Sequence, residues 1–104
     1  MEELTDYEKD VLDTFKKLIK NAGAITCYHF GEETIFPARI TIAKRGDKWV
    51  SYVYERGEYG GFREYDDVYD VIIDSFDGLG PTLSYYFIDN LPSKEEFKER
   101  NRQR

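Results

Sequence analysis

The sequence is poor in the residues that carry most enzyme and metal chemistry: 104 positions hold one cysteine, Cys27, and one histidine, His29. One cysteine excludes an internal disulfide and points to a reducing compartment. One Cys and one His cannot supply the four nitrogen and sulfur ligands of a structural zinc site, so no metal is expected. No apolar run approaches the roughly 18 residues needed to cross a bilayer. The N-terminus begins with acids, without the basic-then-apolar order of a secretion signal. A cytoplasmic protein without membrane contact is the expectation. Repeats, low-complexity tracts and linkers are also missing, so residues 1–104 read as a single domain; each half would be too small to bury a core.

What is present is aromatic and acidic. Seven Phe, nine Tyr and one Trp make up 16% of the chain, enough large side chains to build a compact core although the apolar fraction is only 40%. Such a composition argues against a disordered acidic tail. The formal net charge is −6, and residues 94–104 carry +2, which leaves −8 on residues 1–93. A body with that charge repels phosphate and anionic lipid and attracts a basic partner. Direct nucleic-acid binding is therefore not expected.

Along the chain, Leu4, Tyr7, Val11, Leu12, Phe15, Leu18, Ile19 and Ala22 recur at steps of three and four, the stripe of an amphipathic helix. Thr5 and Glu8 have capping-box spacing, and Gly23 is placed to end the helix. "AITCYHF" (24–30) suits a strand, and residues 31–37 read as a loop. "ARITIAK" (38–44), the turn "RGDK" and "WVSYVYER" (49–56) predict a hairpin. "GEYGG" (57–61) reads as a further turn, with "FRE" as a brief third strand. For 81–92 the pattern fits a strand or an irregular segment. Ser93 and Glu96 again have capping-box spacing and begin a polar C-terminal helix held by Phe97 alone.

Between them, residues 66–77 interleave aspartates with Val, Ile, Tyr and Phe. At about 100° per residue, Asp67, Asp70, Asp74 and Asp77 fall within about 80° of one another. Tyr65, Val68, Tyr69, Ile72, Ile73 and Phe76 take the opposite side. Helical geometry explains the interleaving, with Gly78 as the stop. It does not explain an outer face made only of Asp, where mixed charges would repel less; that bias is assigned to a partner.

Other chemistry is weakly supported. Cys27 and His29 would share a strand face, but no orienting group or oxyanion hole accompanies them, and cysteine is commonly buried as a small hydrophobe. Asp67, Asp70 and Asp74 could offer oxygens to a hard cation, yet calcium-loop spacing is absent and a solvated face is the expectation. Glu55, Glu58 and Glu64 could act as acid and base only in a pocket that separates their pKa values. "GEYGG" lacks the pattern of a phosphate loop, and "RGD" (45–47) reads as a hairpin turn. Tyr52 and Tyr54 share one strand face and Trp49, Ser51, Val53 and Glu55 the other. Exposed Tyr beside acids has the composition of a protein-binding surface, while the rim of a small core would explain it equally.

At "ITIAKRGDKWVSYVYERGEYGGFREYDDVYDVIIDSF" the chain resembles the small acidic immunity proteins of bacterial polymorphic-toxin and contact-dependent inhibition systems. The likeness rests on a strand, a Lys/Asp turn and a Trp-led strand carrying Trp49, Val53, Tyr54, Glu55, Arg56 and Gly57. A glycine turn, Phe62 and an amphipathic helix follow. It covers about a third of the chain, and the helix is richer in Asp and Tyr than the family pattern. The resemblance implies a protein without catalytic apparatus or cofactor. Such a protein acts in the cytosol and blocks the active site or substrate path of a cognate toxin's C-terminal domain, in many cases a basic nuclease.

The expected architecture is α+β: an N-terminal helix, a small antiparallel sheet around the 38–56 hairpin, helix 66–77 packed on it, and a short C-terminal helix. The expected core is Val11, Leu12, Phe15, Leu18, Ile19, Ile40, Ile42, Trp49 or Val53, Val68, Ile72 and Phe76. The expected partner-binding residues are Asp67, Asp70, Asp74 and Asp77, with Tyr54, Glu55, Tyr59 and Glu64 at the sheet edge. Two other classes compete: an acidic nucleic-acid mimic or small adaptor, and a small enzyme using Cys27 and His29. A mimic would bind several nucleic-acid-binding proteins, whereas an immunity protein selects one toxin.

Overall fold

The computed structural model describes residues 4–31, 39–55 and 58–102, the side chains of Tyr54, Glu55 and Tyr59 excepted. Helix α1 (Asp6–Asn21) begins as its sequence dictates. Thr5 Oγ1 accepts from the Glu8 amide and the Glu8 carboxylate accepts from the Thr5 amide, the complete capping box. At the other end Gly23 takes φ +69°, and its amide and that of Ala24 close back on the carbonyls of Lys20 and Ile19. This Schellman closure needs a left-handed residue, which glycine provides without strain.

The α+β architecture is the expected one. A four-stranded sheet in the order β1-β2-β3-β4 holds β1 (Tyr28–Phe30), β2 (Ile40–Arg45), β3 (Lys48–Glu55) and β4 (Glu58–Tyr65). The helices that follow are α2 (Val68–Ser75), α3 (Pro81–Asn90) and α4 (Lys94–Arg102). The β2–β3 hairpin turns through Gly46, at φ +66°.

Four expectations change. Residues 25–27 form a 3-10 turn, so only the second half of "AITCYHF" is strand, and β1 pairs with β2 in parallel instead of antiparallel. That direction lays the Tyr28 and Phe30 rings on Phe15, at 5.1 and 6.3 Å between centroids. "GEYGG" is mostly strand, because β4 runs the full eight residues. Its register against β3 shifts between Ser51 and Val53, and Gly61 sits there at φ +64°. Glycine serves a β-bulge here, not a turn. Residues 81–90, read as strand or irregular, are helical with Gly80 before the first turn and Pro81 opening it. Helix 66–77 is shorter than expected: α2 proper spans eight residues, capped by Asp67 and continued by a 3-10 turn at Phe76–Gly78.

The core centres on Phe15, whose ring also meets Phe76 (5.9 Å) and Phe87 (5.3 Å). Val11, Leu12, Ile19, Ile42, Trp49, Val68, Ile72 and Phe76 are buried as expected, while Leu18 and Ile40 are partly buried against them. Val71, Phe87 and Leu91 join the core, and Ile73 turns outward. The α2 wheel is phased by Val68, Val71, Ile72 and Ser75, all buried, which leaves Ile73 on the far side. Trp49 rather than Val53 fills the inner face. The opposite sheet face buries Ala43, Val50 and Tyr52, with Phe62 stacked on Tyr52 at 6.1 Å. Helix α4 is held by more than Phe97: Arg100 grips Asp10 of α1 with two hydrogen bonds of 2.6 and 2.7 Å, and Asn101 adds a third at 2.8 Å.

Candidate partner-binding surface

The acids of the α2 region meet partners inside the chain. Asp67 stands at the N-cap of α2, where its Oδ1 accepts from the Tyr69 amide (2.7 Å) and from the Tyr7 hydroxyl (2.8 Å). Burial, the bond to Asp67 and its charge push the Tyr7 phenol well above its ordinary range, so it stays a donor. Lys48, at the start of β3, pairs with Asp66 across an exposed contact. Lys94, at the start of α4, pairs with Asp70 at 2.7 Å and lies 5.9 Å from the centre of the Tyr69 ring.

Asp74 is drawn in from the sheet side. Tyr65 of β4 donates its hydroxyl to it, and Arg63 donates at 2.8 Å. These two donors hold the Asp74 carboxyl below its ordinary value. Burial first, then the bond to Asp74, raises the Tyr65 phenol. An outer face made of Asp thus has a physical reason within the fold: short carboxylates capture a helix cap, two phenols and three cations from the surrounding elements.

Of the expected binding residues, Glu64 and Asp70 do come together. With Lys48, Tyr65 and Asp66 they line an open notch of about 350 Å³ between β4 and the start of α2. Asp67 and Asp74 are turned to structural contacts. Asp77, in the 3-10 turn after α2, is exposed, and no hydrogen bond or ion pair engages it among the described residues. The backbones of Tyr54 and Glu55 in β3 and Tyr59 in β4 pair as Tyr54↔Tyr59 and Glu55↔Glu58; their side chains lie outside the described residues.

Cys27 and His29 do not share a strand face as expected. Cys27 ends the 3-10 turn at 25–27, and His29 pairs with Thr41 in the β1–β2 ladder.

Two features escape a residue-by-residue reading. From Glu64 to Ser93 the chain has seven acids and no Lys, Arg or His, so these 30 residues carry −7 and the remainder +1. A running sum of charge along the sequence exposes this segment, which folds into α2 and α3. The second is α3 itself, with Tyr85 and Ile88 67% and 56% exposed. Among the described residues no helix is long and apolar enough to cross a membrane. Comparison with protein-family models, with curated proteins and with solved structures returns no match.

Proposed function

We propose that this protein is an immunity protein, which binds a cognate bacterial toxin domain in the cytoplasm and blocks its active site or substrate path. The observation that carries the reading is the −7 gathered between Glu64 and Ser93 without one intervening cation, alongside the resemblance in the 40–76 stretch. The excess of acids over the three cations that pair with them leaves a net negative surface, and a surface of one net sign raises encounter rates with an oppositely charged protein by roughly 10–10³-fold. Speed matters for a protein that must intercept a toxin before it acts. A basic toxin, such as a nuclease whose cleft is built to hold phosphates, is the complementary partner.

An acidic mimic of nucleic acid is the competing reading. Mimicry requires carboxylates held outward as phosphates are, whereas Asp66, Asp70 and Asp74 each pair with a cation of this chain. That pairing favours a selective partner over a general one.

The test is co-expression in bacteria with the C-terminal domain of a candidate toxin, sought as a large secreted protein in the neighbouring reading frame. Neutralisation predicts restored growth and a stable one-to-one complex with that domain alone. Growth arrest despite expression of both proteins, or equal binding to unrelated DNA-binding proteins competed by DNA, would sink the reading.

A further inference from the structure

Helix α3 is apolar around most of its circumference, yet only part of it is covered. Its inner side is fixed by Phe87, fully buried against Phe15 and Phe76, and by Ser84, whose hydroxyl donates to the Phe76 carbonyl at 2.9 Å. Leu83 and Tyr86 pack on the flanks. At spacings of four and three, Pro81, Tyr85 and Ile88 are left on the outside. A helix stripe of this kind is normally buried, and a large aromatic beside an aliphatic residue is the composition of an interface anchor.

The surroundings say what kind of surface covers it. The acids flanking this face in sequence are Asp77 before the helix and Asp89 in its last turn, both exposed and both without an ion pair among the described residues. No cation occurs on the chain between Arg63 and Lys94. A second copy fits poorly, since it would set the exposed Asp77 and Asp89 of one copy near those of the other with no cation from the same segment between them. Ten helical residues span about 15 Å, so one face of a helix about 10 Å wide offers on the order of 150 Å², far short of the roughly 800 Å² per partner in a stable interface. The partner must therefore reach past the helix face to the surface around it, where Asp77 and Asp89, the nearest acids in sequence, are exposed.

We propose that the Pro81–Tyr85–Ile88 face of α3 is the docking site for a protein partner presenting an apolar ridge flanked by Lys or Arg. This deepens the neutralisation reading and rests on it. It moves the anchor of the complex from the aspartates of α2, which have work inside the fold, to the helix beside them. Tyr85 and Ile88 supply the desolvated contact, and Asp77 and Asp89 select basic flanks.

The first arm of the test uses a synthetic 18-residue amphipathic helix with leucines on one face and lysines beside them. Titrated into the intact protein, it should shift the NMR amide signals of Thr82, Tyr85, Ile88 and Asp89. A peptide with glutamates in place of the lysines should not. The double variant Tyr85→Ser/Ile88→Ser replaces two side chains that are more than half exposed and should retain its melting temperature while binding the peptide at least tenfold more weakly. Shifts confined to the Glu64–Asp66–Asp70 notch, equal binding by the double variant, or a wild-type dimer that the double variant abolishes would each overturn the proposal.

The second arm repeats the variant against the toxin domain in the growth assay. Rescue by wild type and loss of rescue by the double variant support docking at α3. Undiminished tight binding of the toxin domain by the double variant overturns α3 as the site and leaves neutralisation standing. Docking of the basic peptide on α3 without rescue from the toxin removes neutralisation and keeps the docking face.

Discussion

Replacing Asp67 with alanine separates a structural carboxylate from a binding one. From sequence this residue belongs to the partner-facing row; in the fold both its hydrogen bonds fall on one oxygen, Oδ1. Alanine removes the cap of α2, costing about 1 kcal/mol. It also strands the half-buried Tyr7 hydroxyl, about 1 kcal/mol more. The sum, about 2 kcal/mol, is a sizeable part of a small domain's stability of roughly 5–15 kcal/mol. For a chain of this size it lowers the melting temperature by about 8–16 °C. The substitution Asp67→Asn keeps a carbonyl oxygen at the same place and loses only the charge at the helix end, so it costs less than about 1 kcal/mol. Tyr7→Phe removes the phenol alone, and a double-mutant cycle with Asp67→Ala isolates a coupling of about 1 kcal/mol. Thermal melts followed by circular dichroism read wild type and every variant. If Asp67→Ala melts with wild type while binding its partner more weakly, the carboxylate is a contact residue and the assignment to the cap is wrong.

Three further outcomes follow from the packing. Glu8 accepts from the Thr5 amide, Lys44 and the Trp49 indole, so Glu8→Ala opens the capping box and takes the acceptor from the buried Trp49 indole, costing about 2–3 kcal/mol in urea titration. Glu8→Gln keeps an acceptor and costs less. Phe97→Ala removes a fully buried ring from under α4 and costs about 3–5 kcal/mol, with α4 losing amide-exchange protection first. The carboxyls of Asp10, held by Arg100, of Glu8, where the Thr5, Lys44 and Trp49 donors outweigh the effect of burial, and of Asp74, held by Tyr65 and Arg63, all lie below their ordinary values. The unfolded chain therefore binds protons first as pH falls, so stability is complete at neutral pH. It erodes as pH drops through about 4.5 toward the folded values. Arg100→Met should flatten that slope in urea midpoints measured across the acid range.

The parts of the fold legible in the sequence are those fixed by neighbours in the chain. Thr5 with Glu8, Gly23, the Gly46 turn and Ser93, whose hydroxyl accepts from the Glu96 amide, all act within a few residues of themselves. Glycine is ambiguous by nature, since Gly61 gives a turn and a bulge the same signal, and only pairing with β3 decides between them. In "PTLSYYFIDN" the aromatics mask a helix that Gly80 and Pro81 announce. At the candidate site the acids were visible but their cations were not. Lys48 and Asp66 are 18 residues apart, and Arg63 and Asp74 are 11 apart, so their meeting depends on how the sheet and helices pack. Tyr52, whose strand face read equally well as binding surface or core rim, is buried, and Phe62 of the neighbouring strand stacks on it.

At the centre stands capture of a basic protein by the acidic surface around α3, where Asp77 and Asp89 are exposed without an ion pair among the described residues. Stopped-flow association with the toxin domain that the co-expression test identifies examines it most directly, using wild type and the Asp77→Lys/Asp89→Lys variant. The account predicts a wild-type rate that falls at least tenfold between about 0.05 and 0.5 M salt, as screening shortens the reach of the charges. The variant should associate at least tenfold more slowly at low salt, with its melting temperature unchanged. A rate indifferent to both salt and charge reversal would contradict it.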